Sequence, residues 1–370
     1  MTFARVTALA LLAGLVAGAV LVIRRHAREP FAAPPETAGP TGAAGRTEAD
    51  TPSDRHPWSF HSNNECRSCH EGVWKEMVGD PGEDVRGEAW ARSADQHPAA
   101  WFNAFFEPDP LRIECSSCHA PLPILQTGLG TEPFVRLDRH EEGVGCIECH
   151  RNGDTVEGPL PASPAACQPV ENPAFARSDA CAPCHAPHGS VEELAGSEWG
   201  RKGYACQTCH MPEVERPSAT GGPVRPARSH RMLSFRDPDF LRGAVSTRAS
   251  IDGRLLHVSI ENDGTGHRFP GEIYNRRVVL SVRMAGADGT PFSGAGGEDP
   301  YAHDEVFKTV PRPQRGSEPD TRIAPFETRE FSFDLPPAKG TARVRLVFSD
   351  FFLGGGERLV FETEIPFETP

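Results

Sequence analysis

The chain has 370 residues, enough for two ordinary domains. Its 51 acidic against 38 basic side chains give a net charge of −13, which excludes a nucleic-acid binder built on a basic stripe and fits docking to a positively charged partner. All eleven Cys lie between Cys66 and Cys209 and all five Trp between Trp58 and Trp199, so the chain reads as two differently built halves.

In chain order, Val6 to Ile23 is an uncharged apolar run of 18 residues, between a signal-peptide core and a full membrane span. Residues 1–28 are therefore either a signal peptide, with Ala17-Gly18-Ala19 as an A-x-A cleavage site, or a single N-terminal anchor. Arg24, Arg25 and Arg28 outnumber Arg5 and would, for an anchor, favour a cytoplasmic C-terminal part. Residues 29–57 are rich in Pro, Ala, Gly, Thr and acidic side chains, which makes them a flexible or extended linker.

Residues 58–240 are broken repeatedly by Gly and Pro, with short helices expected over Glu88 to His97 and Pro98 to Phe106. This stretch has too few Leu, Ile and Val to build a core alone, so a non-protein group must supply apolar mass. Residues 241–370 change texture. Val245, Thr247, Ala249 and Ile251 alternate with polar residues, Asp252-Gly253 reads as a two-residue hairpin turn, and Leu256, Val258 and Ile260 form the return strand. The pattern recurs at Val278 to Val282, Phe331 to Leu335, Val344 to Phe348 and Leu359 to Ile365. At least six such strands predict an antiparallel, immunoglobulin-like β-sandwich, giving an α+β chain divided by domain. Nothing in this half looks catalytic by itself.

Five segments share the pattern C-x-x-C-H: Cys66 to His70, Cys115 to His119, Cys146 to His150, Cys181 to His185 and Cys206 to His210. Two thiols three positions apart, here Cys66 and Cys69, Cys115 and Cys118, Cys146 and Cys149, Cys181 and Cys184, Cys206 and Cys209, can form thioethers to one porphyrin. The next residue then offers its imidazole to the iron as proximal ligand. Zinc sites or thioredoxin-type pairs do not require a His after every pair. With 15 His in 370 residues, five such His by chance has a probability on the order of 10⁻⁷. The sequence thus implies five covalently bound c-type haems, with proximal His70, His119, His150, His185 and His210. Cys167 is left over.

What fills the sixth position of each iron separates electron transfer from catalysis. His97, His230 and His267 are the leading distal candidates. His97 follows the first site, His230 follows the last, and His267 sits in a Gly- and Pro-bounded loop of the β half, where ligation would join the two halves through an iron bond. His140, His188 and His61 are further candidates, with His188 too close to His185 to serve the same haem. His26, His56, His257 and His303 read as surface residues, and Met211 and Met232 are alternative donors.

The run Trp90-x-x-Ser93-x-x-x-His97, the segment Gly143-Val144-Gly145-Cys146, and Cys206 to Met211 followed by Ser229-His230 resemble the multihaem cytochromes related to the tetrahaem cytochrome of nitrification and to hydroxylamine oxidoreductase. The Gly266-His267-x-x-Pro270 loop resembles one in exported cytochromes of that superfamily. The resemblance covers roughly residues 60–290 and implies stacked and T-shaped haem pairs, with distal His drawn from distant parts of the chain. Two departures stand out. Pro270-Gly271-Glu272 replaces the usual Pro-Thr-Gly, and no C-x-x-C-K segment occurs.

The expectation is an exported electron carrier on the periplasmic or cell-surface side, held to the inner membrane by residues 6–23 if these are not cleaved, with redox proteins as donor and acceptor. Two other readings compete. One is an oxidoreductase with an open haem acting on a small nitrogen or sulfur species; the other is a self-associating subunit of a conductive filament.

Overall fold

The computed structural model describes residues 62–78, 117–137, 143–160, 165–271, 276–292, 299–309, 320–350 and 356–370. All of these belong to one compact unit, His56–Pro370. The apolar run at 6–23, the linker, the two helices expected between Glu88 and Phe106, and His26, His56, His61, His97, Cys115 and His140 lie outside the described residues.

The first half is built of short helices separated by turns: α1 (Asn64–Arg67), α2 (Glu71–Val78), α3 (Ile124–Thr127), α4 (Cys146–His150), α5 (Ala182–His185), α6 (Ser190–Gly196), α7 (Glu198–Arg201), α8 (Cys206–His210) and α9 (Pro238–Arg242). Two of them, α4 and α8, coincide with C-x-x-C-H segments. One helical turn brings positions i, i+3 and i+4 to a common face, so both thiols and the imidazole point to one side. The same closure occurs where His70 N donates to Cys66 O at 2.9 Å and His185 N to Cys181 O at 3.1 Å. The Ser197 and Asp237 side chains cap α7 and α9.

Between these helices, β1 (Arg151–Asn152) and β2 (Thr155–Gly158) pair antiparallel, and β3 (Val170–Glu171) joins β2 in parallel. A hairpin of β4 (Glu213–Pro217) and β5 (Val224–Arg228) follows α8 and leads directly into Ser229-His230. Among the described residues before 240, the buried apolar side chains are Ala120, Ile124, Ile147 and Ala174, together with Pro121, Pro123, Pro133 and Pro183. These small-to-medium side chains are no core for a stretch of this length.

The second half holds β6 (Ser246–Asp252), β7 (Leu255–Glu261), β8 (Arg276–Gly286), β9 (His303–Lys308), β10 (Thr328–Asp334), β11 (Lys339–Asp350) and β12 (Arg358–Glu368). They form one antiparallel sheet in the order β10-β7-β6 and another in the order β12-β11-β8-β9. Alternate residues from both sheets meet in a single cluster: Leu256, Val258 and Ile260 from one, Val278, Leu280, Val344 and Leu346 from the other. Each such side chain contributes about 1.5–3 kcal/mol on burial, so this half stabilises itself.

Two details differ from the sequence reading. Asp252 pairs with Leu255, which puts the hairpin turn at Gly253-Arg254, one position later than expected. The strand β9 carries His303, whose ring stacks on Phe333 at 4.9 Å, and its charged residues hid the alternation.

Candidate haem-ligand site

His70, His150 and His210 each have one ring nitrogen fixed by a backbone carbonyl. His70 Nδ1 donates to Ser218 O at 2.6 Å, His150 Nδ1 to Glu157 O at 2.7 Å, and His210 Nδ1 to Leu233 O at 2.6 Å. The acceptors come from the β4–β5 connection, from β2 and from the segment after β5. A nitrogen bonded to a carbonyl carries the proton, which leaves Nε2 with its lone pair free to act as a ligand.

Two further histidines stand opposite them. The His230 ring centre lies 6.3 Å from that of His150 with 36° between planes. The His267 ring centre lies 6.3 Å from that of His210 with 12° between planes. Two imidazoles bound on opposite sides of one metal ion, with bonds of about 2 Å and roughly 1.1 Å from nitrogen to ring centre, stand roughly 6.3 Å apart. Both pairs are therefore spaced so that one metal ion could be held between their imidazoles. His230 Nδ1 also faces a carbonyl, that of Arg228 at 3.0 Å, and His267 Nδ1 faces that of Arg268 at 3.2 Å.

These imidazoles are held neutral. Burial lowers His185 and His210 to about 4 and His230 to about 3, and it depresses His150 as well. Yet His185 is exposed by surface area and the other three are only half-buried. Each ring is thus crowded by protein on one side while another part of it stays accessible.

The thiols of different segments meet in pairs: Cys146 with Cys66, Cys184 with Cys118, and Cys181 with Cys206. Burial pushes the Cys149 thiol up to about 12, with the Glu148 carboxylate adding to the effect. Nearby, the Nε and Nη1 groups of Arg216 are buried without an acceptor, as is Trp199 Nε1. Buried guanidinium donors left unmatched are costly, so a carboxylate there would be well bound.

The residues present fit haem. They supply paired thiols, neutral imidazoles at ligand spacing, surroundings with few buried apolar side chains of their own, and buried donors suited to a propionate.

A polar lock that sequence reasoning missed joins the first and third segments. Glu148, inside the third C-x-x-C-H, is 1% exposed and forms an ion pair with Arg136, 2% exposed. Its carboxylate also accepts from Asn63 Nδ2 and Gly145 N, both at 2.9 Å, while Asn63 Oδ1 accepts from Ile147 N at 2.8 Å. The acidic residue within the motif was the available signal. Asn262, fully buried, donates to His267 O at 3.0 Å and to Ile323 O at 2.9 Å, which shapes the His267 loop.

The remaining candidates are placed as follows. His188 lies beside His185, close enough to lower its pKa. His119 follows Cys118 at the second segment. His257 Nδ1 meets Ser332 Oγ at 3.0 Å on the outside of β7. Burial raises the Cys167 thiol, which lies near Cys69 and Cys66. Among the described residues no helix is long and apolar enough to cross a membrane.

No protein-family model matches the chain, and no curated protein matches it. Among solved structures, a penta-haem cytochrome c552 from Thermochromatium tepidum is 20% identical over 83% of this chain and 98% of that chain, with a TM-score of 0.50. A chitin binding domain from Burkholderia pseudomallei is 18% identical over 40% of this chain and 66% of its own, but its TM-score of 0.19 carries no argument. The chain is thus similar in fold, over most of its length, to a penta-haem cytochrome.

Proposed function

We propose that this protein is an exported penta-haem c-type cytochrome that carries electrons between redox partners. The carrying observation is the repeated 6.3 Å spacing of His150 with His230 and of His210 with His267. Sites closed on both faces by imidazole favour electron transfer over binding of a small substrate.

In this reading each C-x-x-C-H segment holds one haem through its two Cys, with His70, His119, His150, His185 and His210 as proximal ligands. His230 and His267 close the third and fifth sites, and His61, His97, His140 and His188 are the candidates for the other three. When bound, the haems supply one-electron chemistry, and the chain fixes their order. The thiol contacts support an array in which the first site neighbours the third and the fourth neighbours the second and the fifth, with Cys149 of the third site close enough to Cys181 and Cys184 to act on both.

Residues 58–240 act as the haem-packed domain and 241–370 as a β-sandwich that lends His267 to it. The shared apolar cluster of the two sheets supports the sandwich. Export follows from the attachment chemistry, which takes place outside the cytoplasm, with residues 1–28 as its signal or anchor.

Intact-mass spectrometry and a pyridine haemochrome assay on the mature protein test the haem number, and EPR of the oxidised form tests the ligands. Five haems per chain, all low-spin and inert to CO, are expected. A stoichiometry below five, or a high-spin haem that binds CO or nitrite in the native protein, would overturn the electron-carrier reading in favour of a partly empty chain or an enzyme.

A further inference from the structure

We infer that Glu193, on α6, is a positioning residue that sets His267 opposite His210 and thereby ties the fourth C-x-x-C-H segment to the closing ligand of the fifth. This rests on the reading of His267 as an axial ligand.

The His267 loop is shaped from within the β half. Asn262 Nδ2 and Thr265 Oγ1 donate to His267 O at 3.0 and 2.5 Å, Phe269 and Ile323 exchange backbone hydrogen bonds at 2.9 Å, and Arg322 Nη1 donates to Gly271 O at 3.3 Å. These contacts fix the conformation of the loop. They cannot fix where the loop stands relative to His210, because none of them reaches the first half.

Glu193 does reach across. Its Oε2 accepts from the backbone N–H of Arg268, the residue next to His267, at 2.8 Å. Its Oε1 lies 3.3 Å from Arg322 Nη2 and 3.6 Å from Arg268 Nε. Arg322 is itself buried and held by Asp320 at 2.8 Å, so the carboxylate meets a fixed charge. The next residue, Leu194, presses on the loop so closely that a Cβ on Gly266 would stand 2.3 Å from its Cδ1. A side chain at Gly266 would force Leu194 or the loop to move.

The helix α6 begins five positions after His185 of the fourth segment. Glu193 therefore transmits the position of one haem segment to the ligand of its neighbour. Without it the loop keeps its shape but loses its reference point, and His267 bonds less of the time.

The test compares Glu193→Ala, Glu193→Gln and His267→Ala in the full-length, haem-loaded protein by EPR and CO binding. His267→Ala is expected to give about one CO-reactive, high-spin haem per chain. Glu193→Ala should give a smaller CO-reactive fraction and a broadened low-spin signal, with Glu193→Gln, which keeps an acceptor for Arg268 N, recovering most of the native spectrum. If His267→Ala opens a haem while both Glu193 variants match the native protein, the positioning role is overturned and the ligand assignment stands. If His267→Ala changes nothing, the ligand assignment itself falls, and the role of Glu193 with it. Should Glu193→Ala not fold, Glu193→Asp, whose shorter side chain draws the carboxylate back from Arg268 N, decides by the same spectra: a native spectrum overturns the role, and a partly opened site supports it.

Discussion

The rings of His150 and His230 stand 6.3 Å apart, one on α4 inside a C-x-x-C-H segment and the other just past the β4–β5 hairpin. His230 is carried there by its backbone, whose N–H donates to Glu76 Oε2 at 2.6 Å, and Glu76 lies on α2 beside the first segment. One imidazole pair thus depends on three parts of the chain. Replacing His230→Ala should leave the haem content unchanged, because the thioethers are untouched, and convert about one low-spin haem per chain to a CO-reactive form. An unaltered EPR spectrum in this variant would remove His230 from the ligand set.

Arg216 gives a separate handle on redox potential. Its Nη2 donates to Arg228 O at 2.8 Å and lies 3.4 Å from Glu76, while Nε and Nη1 are buried without an acceptor. A haem held between His150 and His230 would have its more negative, reduced state stabilised by a guanidinium in this position. Arg216→Gln should therefore lower one potential by on the order of 60 mV, equivalent to about 1.4 kcal/mol for a one-electron couple. Spectroelectrochemical titration resolves this, and unshifted potentials would place the donors away from any propionate.

The degree to which the sequence revealed these features follows from how local each signal is. Strands β6, β7, β8, β10, β11 and β12 were legible because alternate residues face one shared core, and alternation is a two-residue pattern. The strand β9 was not, because Asp304, Glu305 and Lys308 interrupt the apolar set around Phe307. The C-x-x-C-H segments were legible for the same reason of locality. Asn63, Arg136 and Glu193 were not, since each acts on residues well separated in sequence, and Asn262 was not, since its bond to Ile323 O joins the His267 loop to a segment 61 residues on. For the first half, no side-chain periodicity could be read because few apolar side chains are buried there.

The buried lock around Glu148 predicts unequal costs for neighbouring substitutions. Glu148→Ala takes away the carboxylate that Arg136 meets inside the protein while its charge stays buried, which should cost about 3–5 kcal/mol. Gly145→Ala fails sterically, since its Cβ would lie 2.5 Å from the Asn63 amide, and overpacking of that kind costs about 1–3 kcal/mol. Both should reduce the yield of haem-loaded protein and the midpoint of thermal unfolding, with Glu148→Ala the worse. Equal stability of Glu148→Ala and the native protein would show that water reaches Arg136.

The β half should lose stability in acid through Asp320 and Glu327, two carboxylates beside the arginines around the His267 loop. Burial alone would raise Asp320, but hydrogen bonds and charge from Arg322 outweigh it and hold the carboxyl below its usual value. Burial likewise opposes ionisation of Glu327, yet the Ala324 N–H and Arg329 bring it below the ordinary range. A carboxyl with a depressed folded pKa adds stability that is complete above its unfolded value, about 3.9 for Asp and 4.3 for Glu. That stability is lost as pH falls through the folded value. Unfolding followed by far-UV circular dichroism should thus be nearly independent of these groups above about pH 5 and weaken below about pH 4. The double variant Asp320→Asn, Glu327→Gln should be less stable at neutral pH and show a shallower acid slope. An acid slope identical to that of the native protein would assign the transition to other carboxylates.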